Sequence, residues 1–201
     1  MMDAATVQKV QERDDVSVAI EVGELLGERG LEAAGKRAEH AGDDEAWADL
    51  ELERGHLLLA LGRLAEVGQT VTRVLQRCPD ELRAFWLLRT AAHEGGDYET
   101  FVRASYQLAQ RLAAPNVIVA LLREVATTLD ELLERRLDAA AVWRELLDHD
   151  PLHAEAFKNA HRLFVAESDH VALHELLGHV IAHADPDDEL AVSTLLERGQ
   201  L

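Results

Sequence analysis

Apolar residues along this chain recur at three- and four-residue steps, and proline, glycine and aspartate interrupt them at regular intervals. Over 98–112 the apolar positions are Tyr98, Phe101, Val102, Tyr106 and Leu108 or Ala109. Over 137–148 they are Leu137, Ala140, Ala141, Trp143 and Leu147. Such spacing gathers apolar side chains on one face of an α-helix. No run of alternating Val, Ile, Thr or Tyr between turn residues predicts a strand.

Two series of turn signals divide the helices. The four prolines, Pro79, Pro115, Pro151 and Pro186, follow one another at 36, 36 and 35 residues. Proline cannot continue a helix and pushes the preceding residue out of the α region, so each is read as a stop. One period earlier, Gly42, Asp43 and Asp44 supply a glycine stop and acidic starters. Between these fall Gly30, Gly62, Gly95–Gly96–Asp97 and Ser168–Asp169, with only Glu134–Arg135–Arg136 in the fourth interval. The interleaved series predict an opening helix over 3–13 and helical pairs at 15–28 with 31–41, 44–61 with 64–77, and 80–94 with 98–112. Two further pairs follow at 116–133 with 137–148 and 153–166 with 169–184. The repeats then span about 15–42, 43–79, 80–115, 116–151 and 152–186 of one domain, with a terminal helix over 187–199. No such helix buries its face alone, whereas stacked hairpins share a continuous core.

The segment LERGHLLLALGRLAEVGQTVTRVLQRCPD, residues 52–80, resembles the tetratricopeptide (TPR) pattern: a small residue in the first helix (Gly55), a turn glycine (Gly62) and a closing proline (Pro79). Gly96, Asp97 and Tyr98 repeat the turn, with Gly96 lying 34 residues after Gly62, and Leu137–Pro151 followed by Ala154–Phe157 resembles one TPR running into the next. The sequence departs from the pattern at Arg54 and Arg89, and at Val67 and Phe101 where small residues are usual; Ala139 fits. The resemblance covers about 44–186. It implies an all-α, right-handed superhelical solenoid of about five TPR-like helix-turn-helix repeats with a C-terminal helix.

The resemblance also implies a protein-interaction scaffold that holds a peptide or helix in a concave groove lined by the first helix of each pair. By position that face would carry Asp49, Leu52, His56 and Leu59, then Arg83, Trp86, Thr90 and His93. Glu124, Thr128 and Glu131 would follow, then Glu155, Lys158 and Arg162. Phe85 and Trp86 point about 100° apart on a helix, so Trp86 faces the groove if Phe85 takes the packing position. A helix enclosed on several sides would bury both, and that outcome is expected. Trp47 and Trp143 are expected in the core. A carboxylate clamp is not expected, since Lys9, Lys36 and Lys158 are the only lysines and the earlier repeats supply no matching set.

The formal charge of −18 changes the picture of partners. It repels nucleic acid and anionic membrane, and it would steer a basic protein towards the chain, although the same excess of acid also keeps a surface-rich fold soluble. Hydrophobic residues at 48%, charged at 29% and aromatic at 4% suit a globular, helix-rich chain. Cys78 is the single cysteine, no apolar segment approaches a membrane span, and the N-terminus lacks the basic start and apolar stretch of a signal peptide. A cytoplasmic location is expected.

Catalysis is not expected, nor a metal or other cofactor. Seven of the ten histidines lie between 149 and 183, and His174–His179 reads HELLGH. The HExxH zinc motif needs histidines four apart on one helix face; these are five apart, about 140° round the helix. His170 with His174 and His179 with His183 each stand four apart, on roughly opposite faces, suited at most to loose metal binding. That leaves a metal-dependent hydrolase as a remote alternative. A nearer one is a structural or oligomerising segment of a larger assembly, self-associating through the terminal helix by Leu195 and Leu196.

Overall fold

The computed structural model describes residues 27–184. The opening helix, the terminal helix with Leu195 and Leu196, and Pro186 lie outside them. The described residues contain only α-helix and connecting turns. A first helix, α1, covers 27–39 of them. It is followed by α2 (Asp44–Ala60), α3 (Leu64–Arg77), α4 (Leu82–Glu94) and α5 (Tyr98–Ala109). Then come α6 (Pro115–Glu131), α7 (Arg136–His149), α8 (Ala154–Ala166) and α9 (His170–His183). From α2 onward these are the predicted helices. The packing divides between Ala91 and Ala92 into two compact units.

The turns inside the hairpins share one device. Gly62 and Gly96 take positive φ, 70° and 69°. After α2 the Arg63 N–H donates to the Leu58 carbonyl at 2.9 Å and the Gly62 N–H to the Leu59 carbonyl at 2.9 Å. After α4 the Asp97 N–H reaches the Ala92 carbonyl at 2.9 Å. This left-handed cap satisfies carbonyls that a helix end leaves without partners. Ser168, at φ 57°, builds the same cap, with the Asp169 N–H donating to the Phe164 carbonyl at 2.9 Å. Glu134, at φ 54°, closes a turn one residue wider, from the Arg135 N–H to the Leu129 carbonyl at 2.7 Å. The weak signal in the fourth repeat therefore marks a real turn. The following helix then starts on Asp97 or Asp169, whose carboxylates accept from the Thr100 and Ala172 N–H groups at 3.1 and 3.0 Å.

Two expectations need correction. Gly30 makes no turn, because α1 runs unbroken through it. It serves close approach instead: a Cβ there would lie 3.3 Å from Leu57 Cδ1, and one on Gly27 would lie 2.8 Å from Leu61 Cδ2. With Leu31, Ala34 and Ala38 buried on the same side, α1 packs antiparallel along α2, and Arg37 pairs with Glu53 at 3.2 Å. Nor is every proline a stop. Pro115 is the first residue of α6, where its fixed φ fits and no N–H is needed. The even proline spacing also hides an uneven period. The left-handed residues 62, 96, 134 and 168 stand 34, 38 and 34 apart. The extra four residues make one helical turn, and α6 has 17 residues where α4 and α8 have 13.

In residues 27–91 the core joins Leu52, Leu58, Val67, Val71, Val74 and Leu87. Gly55 lets α4 approach α2, since a Cβ there would meet Leu87 Cδ2 at 2.4 Å. A buried acid, Glu51, accepts from Arg73 of α3 at 2.7 Å. In residues 92–184 each helix packs on its neighbour in sequence, α5 on α6, α6 on α7, α7 on α8 and α8 on α9. Trp143 is 2% exposed there, as expected of a core residue, and Leu146, Leu147 and Leu163 are fully buried in the same unit. The Tyr106 hydroxyl donates to Glu145 at 2.5 Å, tying α5 to α7. Burial first, and then the Glu145 carboxylate, push its pKa up to about 12.

Candidate functional site

The exposed stripe of α4 is the one large aromatic feature offered to solvent in residues 27–91. Arg83, Trp86, Thr90 and His93 follow at steps of three, four and three, as one helix face requires. Phe85 is 8% exposed and Trp86 37%, so the expectation that both are buried is overturned. The cause is the packing of α4 through Ala84, Phe85, Leu87 and Ala91, which turns position 86 outward. The Arg89 guanidinium stands 5.3 Å from the Trp86 ring centroid, within cation–π range. The Thr90 hydroxyl donates to the Trp86 carbonyl at 3.0 Å, so Thr90 acts within its own helix.

Arg83 bridges α4 to α2. It pairs with Asp49 at 2.6 Å and with Glu81 at 2.8 Å. Glu81 first, then Asp49, hold its guanidinium more firmly protonated than an ordinary arginine. Its charge is therefore compensated inside the chain. His56 is exposed on α2. Leu52, expected on the groove face, is instead 3% exposed and belongs to the core. Its position on the α2 stripe faces α3 and α4, a side that spacing alone could not assign. Trp47 is half-buried, with the Arg77 guanidinium 4.7 Å from its ring centroid, and so is only partly a core residue.

In residues 92–184 the remaining positions are scattered in character. His93 is exposed, with its ring centroid 5.5 Å from that of Phe101. Glu124 is half-buried, and Thr128 is buried at 8% exposure. Lys158 and Arg162 are both exposed on α8. Arg162 pairs with Asp130 of α6 at 2.5 Å, and Arg123 of α6 approaches Glu155 of α8 at 3.6 Å. Successive first helices are thus cross-linked by charge pairs that the residue list alone did not reveal. The signal was present as a recurring separation, 34 residues for Asp49–Arg83 and 32 for both Arg123–Glu155 and Asp130–Arg162.

The histidines do other things. His153 caps α8, its Nδ1 accepting from the Ala156 N–H at 3.2 Å. The rings of His179 and His183 lie 4.4 Å apart, centroid to centroid. His170 and His174 are exposed on α9, which runs through Gly178 as one helix. Among the described residues no three His, Cys, Asp or Glu side chains gather as a metal site, and no helix is long and apolar enough to cross a membrane.

No family model matches the chain, and no curated protein matches it. Among solved structures it is similar to YrrB, described as a TPR protein with an unusual peptide-binding site. The identity is 19%, covering 83% of this chain and 99% of that one, with a TM-score of 0.32. A likeness this loose assigns neither a family nor a ligand, and the helical-hairpin fold stands on the chain's own turns and packing.

Proposed function

We propose that this chain is a protein-interaction scaffold, without catalytic activity of its own, which seats a peptide or helix of a partner against the exposed face of α4. The observation that carries this is the contrast between buried Phe85 and exposed Trp86. A tryptophan leaving more than a third of its surface in water forgoes part of a large burial energy. Tryptophan is also among the residues that most often dominate binding energy at interfaces. Around it the Arg83–Asp49 pair, His56 and Thr90 supply a polar rim. The charge of −18 favours a basic partner, because the Arg83 charge is already compensated by Asp49 and Glu81.

Capture from native lysate with the full chain and with Trp86→Ala, followed by mass spectrometry, tests the proposal. The expected result is a basic partner held by the parent, lost in the variant, and released more readily as salt rises. A partner retained by Trp86→Ala would sink this site. Absence of any partner, together with concentration-dependent self-association in light scattering, would replace the scaffold with an oligomerising segment.

A further inference from the structure

A second feature lies on α1, α2 and the start of α3, and does not depend on the Trp86 proposal. A cleft of about 490 Å³ opens there over the buried side chains of Leu31 and Leu58. Its rim holds three arginines, Arg29, Arg54 and Arg63. In a chain with 38 acidic residues against 20 basic ones, that concentration of guanidinium groups is unusual.

The two acids on the rim are already engaged. Glu28 pairs with Arg63, which also binds Glu66 through Nε at 2.5 Å. Glu32 pairs with Lys36 at 2.6 Å, outside the cleft. Arg54 is differently placed. Its side chain is 29% exposed, and its carboxylate neighbour Glu51 is 3.9 Å away. Glu51 meanwhile accepts a closer bond from Arg73 at 2.7 Å. Arg29 is exposed at the mouth of the cleft. A half-buried guanidinium whose paired carboxylate stands 3.9 Å away keeps donors for a closer acceptor, so an anion in the cleft would be bound favourably. The apolar floor strengthens that attraction by keeping water from one side.

We propose that this cleft is an oxyanion subsite, in which Arg54 and Arg29 hold a carboxylate or a phosphoryl group by charge-assisted hydrogen bonds. Both ligands present paired oxygens to the planar guanidinium fork. The subsite is built from α1, α2 and Arg63, the residue that precedes α3, and uses none of the exposed α4 side chains.

The test is titration of the full chain, followed through the arginine Nε–H resonances by NMR. One arm uses inorganic phosphate and the other an acetylated, amidated triglutamate peptide. The expected result is a saturable shift of the Arg54 and Arg29 signals with a dissociation constant of about a millimolar or below in at least one arm. Saturation by phosphate alone assigns a phosphoryl ligand, and saturation by the peptide alone assigns a carboxylate. Arg54→Gln and the exposed Arg29→Gln should each weaken binding about tenfold, the value of one charge-assisted bond. Arg103→Gln, which removes a guanidinium bonded to Thr100 on α5, should leave it unchanged. Circular dichroism establishes that each variant keeps its helices. A response that stays linear to about 50 mM in both arms is salt screening and overturns the proposal. So does binding that survives both Arg29→Gln and Arg54→Gln.

Discussion

Residues 27–91 bring helices together over glycine as well as alanine, and residues 92–184 bury alanine at many of their helix faces. In the first unit Gly27, Gly30 and Gly55 each leave room that a neighbouring leucine fills. In the second, Ala126, Ala139, Ala140, Ala156 and Ala160 are fully buried, as is the large Trp143. Glycine permits closer approach but weakens a helix interior by about 1 kcal/mol relative to alanine. At Gly27, Gly30 and Gly55 the first unit therefore leans on tertiary contact to offset that weakening. The tryptophans divide the same way: Trp86 is exposed in the first unit and Trp143 is enclosed in the second.

The sharpest way to break that contrast is to truncate both tryptophans. Trp143→Ala should cost about 3–5 kcal/mol in urea denaturation, the range for large core aromatics. Trp86→Ala should cost under about 1 kcal/mol, as surface changes do. Equal losses would mean that the two side chains have the same role.

A smaller effect separates the turns by their residues. Gly62→Ala puts a Cβ at φ 70° and should cost about 1–2 kcal/mol. Ser168→Gly relieves the same strain at φ 57° and should gain up to about 1 kcal/mol in the same measurement. No gain on introducing glycine would show that Ser168 sits there without strain.

The smallest expected effect concerns the α8 cap. The His153 ring accepts from the Ala156 N–H and so satisfies one of the amides that the start of α8 leaves without a partner. His153→Ala should cost about 0.5–1 kcal/mol, and His153→Asn, another side-chain acceptor, should restore most of it, read from thermal melts. Equal losses in the two variants would mean that the cap contributes nothing to α8.

The helices and their order were legible because proline, glycine and aspartate act locally. Gly62 and Gly96 at positive φ, with Asp97 capping the next helix, impose a turn whatever surrounds them. Register within the hairpins was less legible. Three- and four-residue spacing says that one face of α2 is apolar, but Leu52 and His56 belong to adjoining positions on it. Contact with α3 and α4 decided that the first is core and the second exposed.

Chain-local chemistry thus determined that this protein is a train of helical hairpins with an excess of acid. Tertiary packing decided what depends on a neighbour. It set Gly30 inside a helix against Leu57, held Glu134 and Ser168 in left-handed turns, and turned Trp86 outward while burying Phe85. It also left Arg54 beside a cleft with the Glu51 carboxylate 3.9 Å away. The physical reason is range. Backbone preference and capping act over a few residues of sequence, whereas burial and ion pairing depend on which side chains meet from a full repeat away.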